Sequence, residues 1–175
     1  MLVAMAGLPG TGKSALAYRL AEGLSGVVLN KDHARSCLFP ERYVEYSSAQ
    51  DDLCVTILLD VAAYLLTREP TLFVFLDGRT FSRRTQVEHV AEFARGIGEP
   101  LEFIECVCSD ETARLRLEAD QAQGAHPAEN RSYELYLEVK ARWEPIMAPR
   151  FVVDTDAPLE TCTTLCLAHL RSFGG

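Results

Sequence analysis

The segment after the first apolar run has the residue types that bind phosphate. Residues 7–14 read Gly-Leu-Pro-Gly-Thr-Gly-Lys-Ser and fit G-x-x-x-x-G-K-[ST], with a helical pattern after them. Glycines let backbone N–H groups turn inward as an anion nest, and the N-terminus of the following helix adds partial positive charge. We therefore predict that the phosphates of ATP bind at Gly7, Leu8, Pro9, Gly10, Thr11, Gly12, Lys13, Ser14 and Ala15.

Two residues of this loop have roles that follow from their functional groups. The ammonium of Lys13 can reach the β- and γ-phosphates, and the hydroxyl of Ser14 can coordinate Mg²⁺. The alternatives are a chance glycine-rich turn and a loop that binds nucleotide without catalysis. Because the loop contains no group that activates an acceptor, such a group must come from elsewhere in the chain.

The second predicted strand ends in residues that could activate a hydroxyl group. Asp32 could accept a proton from an acceptor as it attacks the γ-phosphate, and Arg35, one helical turn later, could hold that acceptor. The alternative is that Asp32 caps a helix while Arg35 lies in solvent. The triplet Asn30-Lys31-Asp32 is similar to the guanine-binding N-K-x-D of GTPases, but its aspartate comes one residue early. We therefore do not expect a GTPase.

The third predicted strand ends in another carboxylate, Asp77, which could orient a magnesium-bound water or the acceptor. Capping of the next turn is the alternative. Arg79, Arg83 and Arg84 follow, and three cations at a helix start oppose the helix dipole and favour a bound anion. We assign Asp77 to the metal site together with Ser14. Arg79 and Arg83 are assigned to the acceptor site, with a solvated helix start as the alternative.

The elements that must position these residues alternate along the chain. Short apolar runs predict five strands, at 2–6, 27–30, 72–77, 101–107 and 151–154. Helical patterns occupy about 14–24, 47–68, 82–96, 110–122, 131–143 and 158–172, and a further helix begins at Asp32. In the pattern at 47–68 an apolar stripe is predicted at Leu53, Ile57, Val61 and Leu65. Such alternation predicts an α/β fold with a parallel sheet whose carboxyl edge faces the ligand.

These motifs resemble P-loop kinases of the polynucleotide kinase, gluconate kinase and chloramphenicol phosphotransferase type. The resemblance covers residues 1 to about 145 and rests on the loop, the D-x-x-R after strand two, the aspartate ending strand three and a lid helix with arginine. It implies a P-loop NTPase three-layer α/β/α sandwich with a five-stranded, mainly parallel sheet and a helical lid. It also implies a catalytic set of Lys13, Asp32 as general base, Arg35 as acceptor contact, Asp77, and Arg116 as γ-phosphate contact.

The resemblance places the lid at about 117–132, where closure would exclude water from the phosphates. Here the sequence departs from the phage polynucleotide kinase pattern, because the second lid arginine of that pattern falls at Asp120. We assign its role to Arg131, with weaker charge neutralisation at the γ-phosphate as the alternative.

Composition limits the remaining choices. With 175 residues and 48% hydrophobic content, the chain is expected to form one domain over 1–175. A domain of this size is too small for an AAA-type motor, and the sequence also lacks the aspartate–glutamate pair that such a motor has after its third strand. The sequence contains neither an apolar run of about 18 residues nor a signal peptide, so we expect a soluble, cytoplasmic protein. The oligomeric state is not predicted by the sequence. A net charge of −8 disfavours a general nucleic-acid partner.

The predicted activity is ATP-dependent phosphotransfer to a hydroxyl of a small-molecule or nucleoside-type acceptor. One alternative is a 5′-hydroxyl polynucleotide kinase, which the pattern of aspartates and arginine favours and the acidic composition disfavours. The other is a nucleotide-sensing module without catalysis.

Overall fold

The apolar runs form the strands of one parallel sheet in a computed structural model, which describes residues 1–123 and 132–173. The strands are β1 (Leu2–Ala6), β2 (Val27–Asn30), β3 (Val74–Asp77), β4 (Leu101–Val107) and β5 (Arg150–Asp154). Their order is β2-β3-β1-β4-β5, and every neighbouring pair is parallel. All five strands therefore end at the same edge, and the crossover from one side of β1 to the other opens a crevice there.

Helices connect the strands within the described residues. They are α1 (Lys13–Gly23), α2 (Lys31–Leu38), α3 (Ser48–Arg68), α4 (Arg84–Ile97), α5 (Asp110–Gln123), α6 (Tyr133–Ala141) and α7 (Leu159–Arg171), with a 3₁₀ turn at Glu41–Tyr43. Helix starts follow local chemistry, because Ser47, Ser109 and Ser132 each accept a backbone N–H of the first turn through the hydroxyl. Gly98, with φ of 73°, ends α4.

Two apolar layers cover the two faces of the sheet. On one face α3 and α4 pack over side chains such as Leu2 and Val74, and on the other α1 and α7 pack over side chains such as Val3 and Ile104. A smaller cluster joins α5 and α6. This arrangement is the predicted three-layer α/β/α sandwich with five strands, and the sheet is entirely parallel. Of the predicted lid at 117–132, residues 124–131 lie outside the described residues.

Several predicted boundaries of strands and helices were wrong by one to two residues. β3 begins at Val74 rather than Leu72, because the chain after α3 still turns at 70–72 and the first strand pairing joins Val74 to Val27. β5 begins at Arg150, which pairs with Phe103. The predicted helix at 131–143 ends at Ala141, where the backbone tightens into a turn.

The predicted apolar stripe on α3 was also wrong. Leu53 and Val61 are exposed and Ile57 and Leu65 are only half-buried, whereas the buried residues of this helix are Gln50, Cys54, Val55, Leu58, Leu59, Ala62 and Leu66. A row at spacing four drifts by about 40° per step around a helix of 3.6 residues per turn, so it leaves the buried face. α3 is apolar on several sides, and only packing on the sheet selects the buried one.

No helix in the described part of the chain is both long and apolar enough to cross a membrane.

Candidate active site

The loop between β1 and α1 has a backbone that only glycine adopts without strain. Gly7, Gly10 and Gly12 have φ of 132°, 78° and 77°. Gly12 is the N-cap of α1 and offers no side chain to its amides, and no acidic residue lies in the first turn. The positive N-terminal end of α1 therefore faces a cradle to which neither the cap residue nor the first helical turn contributes a negative charge, and this arrangement suits a bound phosphate.

Gly7 is the glycine whose replacement should cost most. A Cβ at Gly7 would lie 2.3 Å from the Cys106 carbonyl oxygen on β4. We expect Gly7→Ala to lower the free energy of unfolding by about 2–4 kcal/mol, because positive φ and backbone overlap both act there. Urea denaturation measures this. Gly96→Ala in α4, where a Cβ meets nothing within 4 Å, is the control and should raise stability by roughly 0.5–1 kcal/mol. Equal small effects at both positions would contradict the packing described here.

Lys13 lies inside the loop, buried at the start of α1. Its Nζ donates to the carbonyl oxygens of Gly7 (2.9 Å) and Leu8 (2.7 Å), and the Thr11 hydroxyl donates to the same Leu8 oxygen (2.8 Å). These contacts hold the ammonium over the cradle. Ser14, the next residue, is half-buried and opens toward the crevice.

Arg116 reaches the same loop from α5. Its Nη1 donates to Thr155 Oγ1 (3.1 Å) and its Nη2 to the Thr155 carbonyl oxygen (2.7 Å). Thr155 in turn donates from Oγ1 to the Thr11 carbonyl oxygen (2.9 Å). One threonine after β5 therefore ties the α5 guanidinium to the phosphate loop.

Asp32 lies at the start of α2 within a buried group of charges. Asn30 caps this helix by accepting the amides of Asp32 and His33 at its Oδ1. Asp32 Oδ1 accepts from Arg35 Nη1 (2.7 Å) and lies 3.3 Å from the Lys31 ammonium. Asp51 on α3 accepts from Lys31 (2.8 Å) and from Arg35.

The pKa of Asp32 reflects two opposing influences. Burial alone raises it, but the Lys31 ammonium and the Arg35 guanidinium outweigh burial and hold the pKa below its usual range. Burial also lowers the pKa of Lys31, although Asp32 opposes that effect. Asp32 is therefore an ionised carboxylate at neutral pH and can accept a proton.

Asp77 ends β3 beneath this group. Its Oδ2 accepts from Asn30 Nδ2 (2.6 Å), so it supports the residue that caps α2. Its Oδ1 is buried, with no hydrogen-bond partner among the described residues. A buried carboxylate oxygen without a donor is suited to a cation or its bound water.

A cavity of about 570 Å³ connects the loop, α2 and the segment after β3. Among the predicted site residues, those that line it are Pro9, Gly10, Gly12, Lys13, Ser14, Ala15, Asp32, Arg35, Arg79, Arg83 and Arg116. Gly7, Leu8, Thr11 and Asp77 do not line it. Arg131 lies outside the described residues.

Several residues of this cavity were not predicted from the sequence. Those with charged or hydroxyl groups close to the predicted site include Lys31, Asp51, Arg142 and Thr155. Thr155 and Lys31 each follow the carboxyl end of a strand, and that position was a usable signal. Asp51 comes from α3 and Arg142 follows the end of α6, and both reach the cavity only through packing. Asp120, where the resemblance expects the second lid arginine, also lines the cavity.

The profile of an AAA domain family matches residues 2–146. The chain belongs to this AAA domain family. No sequence among curated proteins matches the chain significantly.

Solved structures similar to this AAA domain include two kinases and one protein assigned as a kinase. A protein of Chloroflexus aurantiacus assigned as a kinase is 24% identical, with a TM-score of 0.74 over 96% of this chain and 97% of that one. A gluconokinase from Sinorhizobium meliloti is 17% identical (TM-score 0.67, 98% and 91% covered). The APS kinase of Mycobacterium tuberculosis, solved with AMPPNP and APS, is 17% identical (TM-score 0.71, 97% and 96% covered). The fold of this chain is that of P-loop kinases.

Proposed function

We propose that the protein transfers the γ-phosphoryl group of ATP to a hydroxyl of a small-molecule acceptor. The observation that carries this proposal is that one cavity is lined both by residues of the phosphate cradle, from Pro9 to Ser14, and by Asp32, an ionised carboxylate. A sensing module would need the cradle alone. A carboxylate in the same cavity as the cradle gives that cavity a group that can take the proton of an attacking hydroxyl.

The roles of the side chains follow from their positions. Amides of the loop and the Lys13 ammonium would bind the β- and γ-phosphates, and Arg116, held by Thr155, would meet charge that develops on the transferred group. Arg35 would position the acceptor beside Asp32. Mg²⁺ would be held by the Ser14 hydroxyl and, through water, by Asp77 Oδ1, and when bound it neutralises phosphate charge.

Phosphotransfer from γ-labelled ATP tests this proposal. The purified protein would be incubated with Mg²⁺, labelled ATP and a panel of sugars, hydroxy acids, nucleosides, aminocyclitols and 5′-hydroxyl oligonucleotides. Label transfer to a small alcohol supports the proposal, and transfer only to oligonucleotides would establish the polynucleotide kinase alternative instead. ATP binding with no transfer to any acceptor would favour the non-catalytic module.

Arg116 offers a graded test of the phosphate site. We expect Arg116→Gln to lower kcat by a factor of about 10–100, because it removes one donor from the developing charge while Arg142 still lines the cavity. The ATP Kd should change less than kcat, and a comparison of steady-state kinetics with calorimetric titration measures both. Arg114→Gln is the control, since Arg114 lies on the same helix, is exposed, and pairs with Glu118 instead. Equal losses in both variants would remove Arg116 from the site.

A further inference from the structure

A second cavity of about 300 Å³ adjoins the acceptor side of the first. Four residues line both cavities and form the wall between them, namely Ser48, Arg79, Arg83 and Gln86. Gly78, the residue before Arg79, packs so closely on α2 that a Cβ there would lie 3.1 Å from the Lys31 amide nitrogen and 3.4 Å from that of Asp32. The segment that carries Arg79 therefore packs against the start of α2, where the proposed general base lies.

Arg79 is the unusual residue of this wall. It is only 5% exposed, yet among the described residues neither its Nε nor its Nη1 has an acceptor. Its Nη2 donates to Asp52, whose side chain is 57% exposed. Buried guanidinium N–H groups without acceptors are costly, so two donors of Arg79 lack the partner that their burial requires.

The surroundings of Arg79 favour an anion as that partner. Within the described residues, seven Lys and Arg side chains but only three Asp side chains line the larger cavity, although the whole chain has a net charge of −8. Thr85 and Gln86 bring the first turn of α4, which contains no acidic residue, to the second cavity. The Oε1 of Gln86 is also buried without a hydrogen-bond partner among these residues and could accept a ligand hydroxyl.

On the basis of the proposed function, we infer that the acceptor is a small hydroxylated anion whose charged group binds Arg79 in the second cavity. A carboxylate, a sulfate or a phosphate monoester would each supply anionic oxygens that accept from the unpartnered N–H groups of Arg79. The acceptor hydroxyl then lies at Asp32. Its oxygen forms a bond to the γ-phosphorus, the bond from that phosphorus to the β,γ-bridging oxygen breaks, ADP leaves, and the hydroxyl proton passes to Asp32 and then to solvent.

Matched pairs of acceptors test this inference. Gluconate and sorbitol, glycerate and glycerol, and a nucleoside 3′-monophosphate and its nucleoside differ mainly in the anionic group. We expect the anionic member of one pair to be phosphorylated with a kcat/KM at least about tenfold above its neutral partner. Arg79→Gln should raise the KM for that anion by a factor of about 10–100 and leave the KM for ATP within about twofold. No discrimination by the parent protein, or discrimination that Arg79→Gln leaves intact, would overturn the inference.

Two further variants separate charge from folding. Arg84→Gln is the control, because the Arg84 side chain is 75% exposed, pairs with Glu88 and lines neither cavity. Gln86→Glu keeps Arg79 and adds a negative charge to the wall. It should therefore raise the KM for the anionic acceptor and leave the KM for the neutral acceptor unchanged, and this test remains available if Arg79→Gln folds poorly.

An equilibrium measurement separates this inference from the proposed function. Calorimetric titration of gluconate, glycerate and the nucleoside 3′-monophosphate into the protein with ADP and Mg²⁺ requires no catalysis. Anion binding that Arg79→Gln abolishes would uphold the anion site even if no acceptor were phosphorylated, in which case the proposed function alone fails. Absence of both transfer and anion binding would contradict both the anion site and the proposed function.

Discussion

Lys13→Ala should abolish phosphotransfer, with a fall in kcat of at least about 10³, and should raise the Kd for ATP by a factor of about 10–100. The reason is the location of the ammonium, which is buried at the start of α1 and bonded to the Gly7 and Leu8 carbonyl oxygens over the cradle. No other lysine of the described chain contacts that loop. The larger loss in kcat is expected because charge on the transferred phosphoryl group is greatest in the transition state.

The measurement is a pair of experiments on one protein preparation. Calorimetric titration with ATP and Mg²⁺ reports binding, and single-turnover transfer from γ-labelled ATP reports chemistry. Lys140→Ala is the control, because Lys140 pairs with Asp110 on α5 and lies outside the cavity. An ATP affinity that stays unchanged in Lys13→Ala would count against the phosphate cradle itself.

Local patterns were sufficient to predict the parts of the site that neighbouring residues build. The glycines of the loop are needed for its positive φ angles, and the strand before it and helix after it are continuous in sequence. The α2 start is similar, since Asn30 caps the residues that follow it and so orients Asp32. A feature that depends on adjacent residues can be inferred from them.

Features that depend on packing could not be predicted in this way. Asp51 enters the cavity only because α3 packs beside α2, and Arg79 is buried only because α3 and α4 enclose the segment after β3. The same holds for α3, which is apolar on several sides, so that its sequence does not specify which side meets the sheet. The charge pairing of Arg35 with Asp51 had no sequence signal at a separation of 16 residues.

Asp51 provides a control for the role of Asp32, because it is a second carboxylate in the same group of charges. Both carboxylates line the cavity and both pair with Lys31 and Arg35. The Asp51 side chain is 28% exposed and Asp32 only 9%, so solvent screens Asp51 more strongly. Removing either negative charge disturbs the same two cations, and a comparison of the two variants isolates proton transfer from that disturbance.

Asp32→Asn should lower kcat by a factor of about 10²–10⁴ and leave the ATP Kd within about threefold, because the amide can still accept from Arg35 but cannot take a proton. Asp51→Asn should cost at most about tenfold. The lowered pKa of Asp32 keeps this carboxylate ionised at neutral pH, and in a loose transition state the hydroxyl proton becomes acidic late, as the new phosphorus–oxygen bond forms. Single-turnover transfer measures both variants. A larger loss in Asp51→Asn would move the base to Asp51, and full activity in both would remove a carboxylate base from the mechanism.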